Sequence, residues 1–390
     1  MNAQLLRMLP TLHMISPFHT CAKISFSHCA FSMKAFRFPK MMQPLGYKVI
    51  EYANGESESM AAEKVRILTE TELETLMGKK ELTAFHGHTA QIGSRWWAEF
   101  DRRLRMALKD RVQKGDFICH PFGRSHMMLV RDFPEQHHIE TGIGYPDREF
   151  GAFRVFESYA WMHYHQGGHL NFDQGGQVIY RDNLPVVGRS GKDYEWVVPN
   201  YFDLDDWTPK TESGEYLLFF GRICGEKGMD VIREIADRID ETIIVAGQGD
   251  IGPWKGKNIE YIGPVAGKDR NNLVGDAKAM LMPTRFTEPF GGSGIEGMLC
   301  GVPLIASDFG AFTETIKNGI NGYRCHTLID WLTAIKLAPF LSRSHIAGYA
   351  RRRYSLQTCA VEYDRIFKAI SDFDMPEGGD PKKYGWYAGT

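Results

Sequence analysis

The stretch AMLMPTRFTEPFGGSGIEGMLCGVPLIASD, residues 279 to 308, joins an apolar run to a glycine-rich turn, a short helical pattern and a second apolar run. A continuous apolar run is expected of a strand that is buried on both faces of a parallel sheet. Gly291, Gly292 and Gly294 lack Cβ atoms, so the sequence predicts a turn with exposed backbone N–H groups at the start of a helix. This strand–turn–helix–strand unit predicts a doubly wound α/β domain.

The same alternation extends backwards through the second half of the chain. The sequence predicts strands at 215–222 (EYLLFFGR), 242–250 (TIIVAGQGD) and 259–265 (IEYIGPV), with helices at 228–239 and 268–278. The segments FGR, GQGD and EPFGG each end a predicted strand. Ligands of doubly wound domains lie beyond the carboxyl ends of the strands, so we expect these three segments to share one site.

The first half is less regular. We predict strands at 47–53, 81–88, 115–123 and 136–146, and helices at 57–77 and 94–112. The second helix carries Trp97, Phe100, Leu104 and Leu108 along one face, which is typical of core packing. The mixture of Trp and Arg in SRWWAEFDRRLR leaves peripheral contact with a membrane surface as the alternative. The pair Pro199-Asn200 is expected to end a strand and to begin a hinge.

The first 50 residues differ in composition from the rest. They contain no Asp or Glu and six basic residues, at positions 7, 23, 34, 37, 40 and 48. An acid-free, Ser-rich leader is typical of an organellar transit peptide. A disordered or over-extended start is the alternative that we favour, and we expect the folded chain to begin at residue 43.

Overall composition excludes several functions. The chain has 390 residues with 46 basic and 48 acidic side chains, whereas non-specific nucleic-acid binding needs a basic surface. Seven cysteines form no close pair, which indicates reduced thiols and a cytoplasmic location. No apolar run has the length of a membrane span.

His163, His165 and His169 lack a nearby third ligand, so we predict no metal site there.

Two cations follow the strand predicted at 215–222. Arg222 comes directly after the apolar run, and Lys227 comes five residues later, just before the next helix. Two cations fixed at one strand-to-helix junction could bind a diphosphate through charge-assisted hydrogen bonds. The alternative is a solvated Arg and Lys on a surface loop. Gly247, in AGQGD, either lets the backbone approach a nucleotide or only permits a tight turn.

Two glutamates eight positions apart flank the glycine turn. Glu288 precedes the glycines, and Glu296 lies about one helical turn inside the helix. Ionised carboxylates only accept hydrogen bonds, so they suit a ligand with hydroxyl groups. An anion site bordered by carboxylates fits a nucleotide sugar, which carries a diphosphate between two hydroxylated groups. Alternatively, Glu296 only complements the helix dipole, whereas Glu288 before Pro289 has no comparable structural explanation.

Three segments resemble one protein family. EPFGGSGIEGMLCGVPLIASDFG (288–310) resembles the glutamate–seven–glutamate signature of the retaining glycosyltransferases of family four, which have the GT-B fold. FFGRICGEKGMDVI (219–232) resembles the family's Gly-Arg…Glu-Lys-Gly donor phosphate motif. VVPNYFDLDDW (197–207) resembles its Pro-Asn-Gly-Val-Asp interdomain segment, with Tyr201 in place of the usual Gly. The resemblance covers about residues 196 to 370.

The resemblance implies an α/β architecture of two Rossmann-like doubly wound domains that face an interdomain cleft. The expected divisions are a leader at 1–42, an acceptor-side domain at 43–200, a nucleotide-sugar-binding domain at 201–350, and a segment at 351–390 whose helix crosses back to the first domain before a tail. Such an enzyme closes about its hinge when both substrates are bound.

The resemblance also implies roles for single residues. Arg222 and Lys227 would bind the donor diphosphate, Glu296 the ribose hydroxyls, and Glu288 a hydroxyl of the transferred sugar. The rest of the donor-binding set consists of Phe290, Gly291, Gly292, Gly221 and Gly247. Anomeric configuration would be retained by front-face attack, with Arg and Lys rather than a metal stabilising the leaving group, and without a cofactor. The acceptor would be a glycan, a lipid or a small molecule.

The first half departs from the family pattern. Family members often carry a Gly-Gly loop after the first strand, but the loop predicted here, ANGESES, has the single glycine Gly55. Members also carry a histidine at the end of a later strand. The candidates are His86, His88, His120, His137 and His138, with Glu140 and Gly142 standing where another His was expected. We select His120 as the catalytic candidate, because it ends a well-defined strand.

Other functions of the same fold stay open. A nucleotide-sugar epimerase or a glycoside phosphorylase would use a similar donor site, although the Lys-x-Gly-Gly opening loop of glycogen-synthase-like enzymes is missing here. A non-catalytic sugar-nucleotide-binding protein is the third alternative.

Overall fold

The structure is a computed structural model that describes residues 9–26, 29–78, 92–146, 150–168, 171–172, 178–179 and 194–372. The chain divides into two compact units. Unit 1 comprises Met1–Phe156, His165–Val198 and Cys359–Thr390, and unit 2 comprises Glu157–Tyr164 and Pro199–Thr358. The strand predicted at 81–88, with His86 and His88, lies outside the described residues, as does His169.

Unit 1 contains a parallel sheet of seven strands in the order β3-β2-β1-β4-β5-β6-β9. Its strands are β1 (Leu12–Ile15), β2 (Val49–Ala53), β3 (Glu63–Arg66), β4 (Phe117–Cys119), β5 (His137–Ile143), β6 (Phe153–Phe156) and β9 (Tyr194–Val197). A separate antiparallel pair consists of β7 (Asn171–Phe172) and β8 (Val178–Ile179). The helices are α1 (Ala30–Met42), α2 (Glu70–Met77), α3 (Arg95–Lys109), α4 (Leu129–Asp132) and α5 (Tyr159–Gly168), whose first residues belong to unit 2.

We expected residues 1–42 to form a leader outside the fold. This expectation is wrong from Leu12 onward, where β1 begins. The strand β1 lies between β2 and β4, with Leu12 paired to both Val49 and Phe117. Leu12 and Met14 are fully buried. The strand was not predicted because it has only four residues and because the polar His13 interrupts its apolar pattern. The ring of His13 is hydrogen-bonded to Tyr52 Oη (2.8 Å) and to Asp116 Oδ2 (3.2 Å).

The helix predicted at 57–77 is wrong over its first part. Residues 63–66 form the edge strand β3, whose side chains alternate between half-buried and exposed. An edge strand with one face in solvent has few apolar residues, so its sequence resembles a charged helix. The helix α2 then begins after Thr69, which forms a capping box with Glu72.

The helix α3 packs as its apolar face predicts. Phe100, Leu104 and Leu108 are fully buried, and Trp97 is half-buried and donates its indole N–H to the Ser125 carbonyl at 2.8 Å. Ser94 caps its first turn by accepting a hydrogen bond from the Trp97 backbone. This face of α3 therefore belongs to the core of unit 1.

Unit 2 contains a parallel sheet of six strands in the order β12-β11-β10-β13-β14-β15. Its strands are β10 (Tyr216–Phe220), β11 (Ile243–Ala246), β12 (Ile259–Gly263), β13 (Ala277–Met282), β14 (Leu304–Ser307) and β15 (Gly322–Cys325). The helices are α6 (Met229–Ala236), α7 (Gly267–Gly275), α8 (Gly292–Leu299), α9 (Phe312–Thr315), α10 (Leu328–Leu337) and α11 (Arg343–Tyr354). When the six strands are numbered in chain order, their order across the sheet is 3-2-1-4-5-6, which is the Rossmann arrangement.

The prediction of two Rossmann-like doubly wound units is confirmed. Unit 1 has the same strand order as unit 2, with one further strand at its edge. The last helix of the described residues, α12 (Leu356–Asp372), belongs to unit 1 from Cys359 onward. Its residue Phe367 is fully buried, with ring centroids 4.8 Å from Phe117 and 5.6 Å from Tyr47.

All seven cysteines are free thiols. In the part of the chain that the structure describes, no helix combines the length and the apolar character needed to cross a membrane.

Candidate active site

The topology of unit 2 brings two loops together. The strands β10 and β13 are neighbours whose following connections turn in opposite directions, so the loops after their carboxyl ends flank a ligand crevice. The Arg285 backbone N–H donates to the Glu226 carbonyl at 2.8 Å, which joins the two loops. The candidate site therefore lies at the switch point of the sheet.

Lys227 and Glu288 meet across these two loops. The Lys227 ammonium lies 2.7 Å from Glu288 Oε2 and 4.7 Å from the centre of the Phe286 ring. The two charged side chains are only 16% and 11% exposed. Thr284 Oγ1 donates to the same carboxylate oxygen at 3.3 Å. Both contacts fall on Oε2, which leaves Oε1 for a hydroxyl donor.

The backbone also holds Glu288 in place. Its carbonyl accepts a hydrogen bond from the Ala311 N–H at 3.0 Å, and Ser307 Oγ donates to the Thr284 carbonyl at 2.8 Å. Loop residues fixed in this way lose little entropy when a ligand binds.

The glycine turn ends at the first turn of α8. Gly291 has a φ of 79° and no side chain with which to cap the helix, so the first amides of α8 can bind an anion. A Cβ on Gly292 would find its nearest neighbour 3.9 Å away, in the Phe202 ring. A Cβ on Gly294 would lie 2.7 Å from Leu304 Cδ2 and 2.8 Å from Met282 Sδ. Gly294 therefore serves the packing of α8 on the sheet, not the exposure of amides that the sequence predicted.

Glu296 lies in the second turn of α8 and is 6% exposed. Its Oε2 atom forms an ion pair with Arg270 Nη2. Arg270 was not predicted from the sequence. The position of Arg270 in the sequence could have indicated a role in the site. The helix α7, which carries it, begins shortly after the carboxyl end of β12, at the edge of the sheet where we expect the ligand.

The remaining donor-binding candidates occupy the same edge. The ring of Phe290 is buried, 5.7 Å from the Tyr354 ring. Gly247 packs on Gly221, because a Cβ on Gly247 would lie 1.8 Å from the Gly221 carbonyl oxygen. This contact explains Gly247 as a packing residue. Arg222 is half-buried at the start of the loop after β10.

In unit 1, His120 directly follows β4, the central strand of the sheet. Its Nε2 lies 3.0 Å from His138 Nδ1, and His138 Nε2 lies 2.9 Å from the Phe133 carbonyl oxygen. The carbonyl only accepts, so His138 carries its proton on Nε2 and His120 donates from its own Nε2. This assignment leaves His120 Nδ1 as an acceptor.

Burial keeps these imidazoles neutral. Desolvation, together with the neighbouring His138 and His126, holds the pKa of His120 well below its ordinary value. Burial lowers the pKa of His138 to about 4. A neutral His120 can accept a hydrogen bond but does not supply positive charge.

A further pair of buried ionisable groups lies in unit 1. His126 Nδ1 is 3.0 Å from Asp101 Oδ1, and Arg105 donates to Asp101 Oδ2 at 2.7 Å. A cavity of about 320 Å³ lies beside them, lined by Ile92, Trp97, Asp101, Arg124, Ser125, His126, Met127 and Met128. This cavity shares no residue with the candidate site in unit 2.

Two of the three histidines considered as metal ligands, His163 and His165, lie on α5. His165 is buried and its Nε2 donates to the Tyr145 carbonyl at 3.0 Å, whereas His163 is exposed. Among the described residues, no group of three or more His, Cys, Asp or Glu side chains could hold a metal ion.

Comparison with known proteins supports the interpretation of unit 2. Residues 214–336 match the family model for glycosyl transferases group 1. An uncharacterized glycosyltransferase of Methanocaldococcus jannaschii is 25% identical over 206 residues, covering 45% of this chain and 53% of the relative. A phosphatidyl-myo-inositol mannosyltransferase of Mycobacterium tuberculosis is 23% identical over 203 residues, covering 45% and 54%. The matches thus span about half the length of these relatives.

Solved structures show the fold over nearly the whole chain. AviGT4, a glycosyltransferase involved in avilamycin A biosynthesis, has a TM-score of 0.61 at 16% identity, covering 94% of this chain and 98% of that one. HepE of Anabaena, solved in complex with UDP and glucose, has a TM-score of 0.59 at 12% identity, covering 93% and 100%. Residues 214–336 are therefore similar in sequence to glycosyl transferases group 1, within a chain whose fold is that of AviGT4 and HepE.

Proposed function

We propose that this protein is a retaining glycosyltransferase that transfers a hexose from a nucleotide-diphosphate sugar to an acceptor. The observation that carries the proposal is the contact between Lys227 and Glu288 at the switch point of unit 2. It places a cation and a hydroxyl-accepting carboxylate together, beside the N-terminus of α8. A diphosphate joined to a sugar presents the complementary groups.

The cations would stabilise the leaving group. An ammonium has three donors, so Lys227 can keep its bond to Glu288 and still donate to a phosphate oxygen. Arg222 and the first amides of α8 would share the remaining charge. Positive charge that is fixed before the reaction stabilises the departing diphosphate without a metal ion.

The transfer itself exchanges one bond at the anomeric carbon. The bond from this carbon to the phosphate oxygen breaks, and a bond to the acceptor oxygen forms on the same face. The acceptor proton moves to the departing diphosphate, so no carboxylate nucleophile is needed. His120 of unit 1, with Nδ1 as a hydrogen-bond acceptor, is our candidate for positioning a hydroxyl of the acceptor substrate.

The test starts with the donor. Uridine, guanosine and adenosine diphosphate sugars would be incubated with the protein and an acceptor panel, with release of the nucleoside diphosphate as the readout. Turnover is expected without added metal and in the presence of EDTA. The product should keep the anomeric configuration of the donor, as measured by NMR.

Single substitutions then test the site. We expect Glu288→Gln and Lys227→Met to lower turnover by about 10²–10³-fold, because each removes a charge that acts on the transition state. Glu241→Gln is a matched control, since it breaks the Lys278–Glu241 ion pair of the same unit away from the site. Wild-type turnover in the Glu288 variant would overturn the proposal. Dependence on orthophosphate would identify a phosphorylase, and donor binding without turnover a binding protein.

A further inference from the structure

The carboxylate that we assign to the ribose has a fixed partner. Arg270 and Glu296 form an ion pair whose side chains are 17% and 8% exposed. A buried ion pair loses the hydration of both charges, so the pair by itself is weak evidence for a stabilising role. Its position at the candidate site suggests a different purpose.

Aromatic rings hold the guanidinium of Arg270. Its central carbon lies 4.8 Å from the centre of the Phe220 ring and 5.4 Å from that of Trp207. Both distances are within the range of cation–π contacts, which a planar guanidinium makes better than an ammonium. Phe220 is the last residue of β10, directly before Gly221 and Arg222. The arginine is thus tied to the loop predicted to bind the diphosphate.

The hydrogen bonds of this cluster are incomplete. Arg270 Nε and Trp207 Nε1 are buried donors without an acceptor among the described residues. Buried donors kept only for stability are normally satisfied. The contact with Glu296 falls on Oε2, which leaves Oε1 for another donor.

We propose that Arg270 is a positioning residue that fixes the Glu296 carboxylate so that its free oxygen accepts the ribose hydroxyls of a ribonucleoside diphosphate. This inference rests on the proposed function, because it assumes that the ligand is a nucleotide. The carboxylate would have one orientation before the ligand arrives, so binding would not have to order it. The arginine would act only through ribose recognition.

The test compares nucleotides with and without ribose hydroxyls. Binding of uridine, guanosine and adenosine diphosphate is measured by calorimetry, and the tightest binder is paired with its 2′,3′-dideoxy analogue. The wild type should prefer the ribonucleotide by at least about tenfold, as expected for a hydrogen bond to a charged group. Arg270→Met and Glu296→Gln should each weaken the ribonucleotide to the level of the dideoxy compound and leave the dideoxy compound unchanged.

Further variants separate positioning from stability. Arg270→Lys keeps the positive charge but lacks the planar guanidinium group. It should therefore fold and retain only part of the preference for the ribonucleotide over its dideoxy analogue. The double variant of Arg270→Met with Glu296→Gln should lose no more affinity for the ribonucleotide than either single variant loses. Lys278→Met, which removes the cation of a comparable ion pair, should leave both affinities unchanged.

Two outcomes would overturn the inference. Equal weakening of both nucleotides in Arg270→Lys would show that the arginine acts on the fold or on the diphosphate. An unchanged preference in Arg270→Met would show that Glu296 does not need it. If the wild type binds no nucleoside diphosphate at all, the proposed function fails instead.

Discussion

The two sheets share a strand order but differ in what they bury. In unit 2 the adjacent strands β10 and β11 are apolar, and the charged groups of the candidate site lie in the loops and helices that follow the strands. In unit 1, His13, Glu51, His138 and Glu140 are buried within the strands themselves. The carboxylate of Glu51, for example, accepts hydrogen bonds from the hydroxyls of Ser16, Ser57 and Ser59.

This difference shows that the same strand order can be built either from apolar strands or from strands that bury polar side chains. An apolar sheet gains its stability from burial, whereas buried polar groups must each find a partner and are costly when they do not. Unit 1 should therefore respond to changes of protonation that leave unit 2 largely unaffected.

The largest effect is expected from charges in the central strands. Met14→Asp in β1 and Leu218→Asp in β10 each bury an unpaired carboxylate at a fully buried position. Each should destabilise its own unit by about 4 kcal/mol or more, because no partner compensates for the lost hydration. Peptide-resolved hydrogen exchange would measure the loss of protection separately in the two units.

Ile24→Asp is the control, since Ile24 follows β1 but is 46% exposed. It should leave protection in both units unchanged. If Met14→Asp were as harmless as Ile24→Asp, residues 12–42 would not be part of the folded unit.

Acid should affect unit 1 first. Burial lowers the pKa of His137 and of His138 to about 4, whereas the described histidines of unit 2 are exposed. In the unfolded chain a histidine becomes protonated near pH 6.5. The stability that depends on a neutral imidazole is therefore fully present above pH 6.5 and is lost as the pH falls towards 4.

His137→Phe tests this sign. The His137 ring lies 4.9 Å from Phe117, and its Nδ1 is buried without a partner among the described residues, so an apolar ring should fit. Between pH 7 and pH 4.5 the variant should lose about 2–3 kcal/mol less stability in unit 1 than the wild type. Hydrogen exchange at the two pH values is the measurement. Identical losses in variant and wild type would assign the acid sensitivity to other groups.

The smallest effect separates two glycines of the same turn. Gly294→Ala places a Cβ against Leu304 and Met282, so it should destabilise unit 2 by about 1–3 kcal/mol. Gly292→Ala meets no close atom, so it should leave stability within about 0.5 kcal/mol while weakening nucleotide binding. Thermal unfolding and calorimetry would measure both variants. A Gly292→Ala protein that binds nucleotide like the wild type would place the ligand elsewhere.

The fold of unit 2 was largely predictable, because β10, β11 and β13 are mainly apolar runs that a glycine or a proline follows directly. The strand predicted at 215–222 was observed as β10 at Tyr216–Phe220, and the helix predicted at 228–239 as α6 at Met229–Ala236. Unit 1 was harder, since His13 interrupts β1 and the charges of β3 face solvent. Patterns of hydrophobicity do not reveal which polar side chains find partners inside a core.

The candidate site was predictable only in part. Glycines and charges that follow predicted strands indicated Lys227 and Glu288, and the structure brings these two into contact. Arg270 was not predicted, because one basic residue in a polar helix has no distinguishing pattern. Its role depends on Trp207 and Phe220, which are distant from it in sequence and adjacent in the fold.

The position of α12 has a consequence for synthesis on the ribosome. Unit 1 is discontinuous, since the part of α12 that belongs to it, from Cys359 onward, follows unit 2 in the chain. Phe367, in the second half of this helix, is fully buried and its ring packs on Phe117 of β4. Domains usually fold in the order in which they emerge. Here the sheet of unit 1 emerges first but keeps an uncovered apolar face until translation of unit 2 is finished, so the unit begun first is the one completed last.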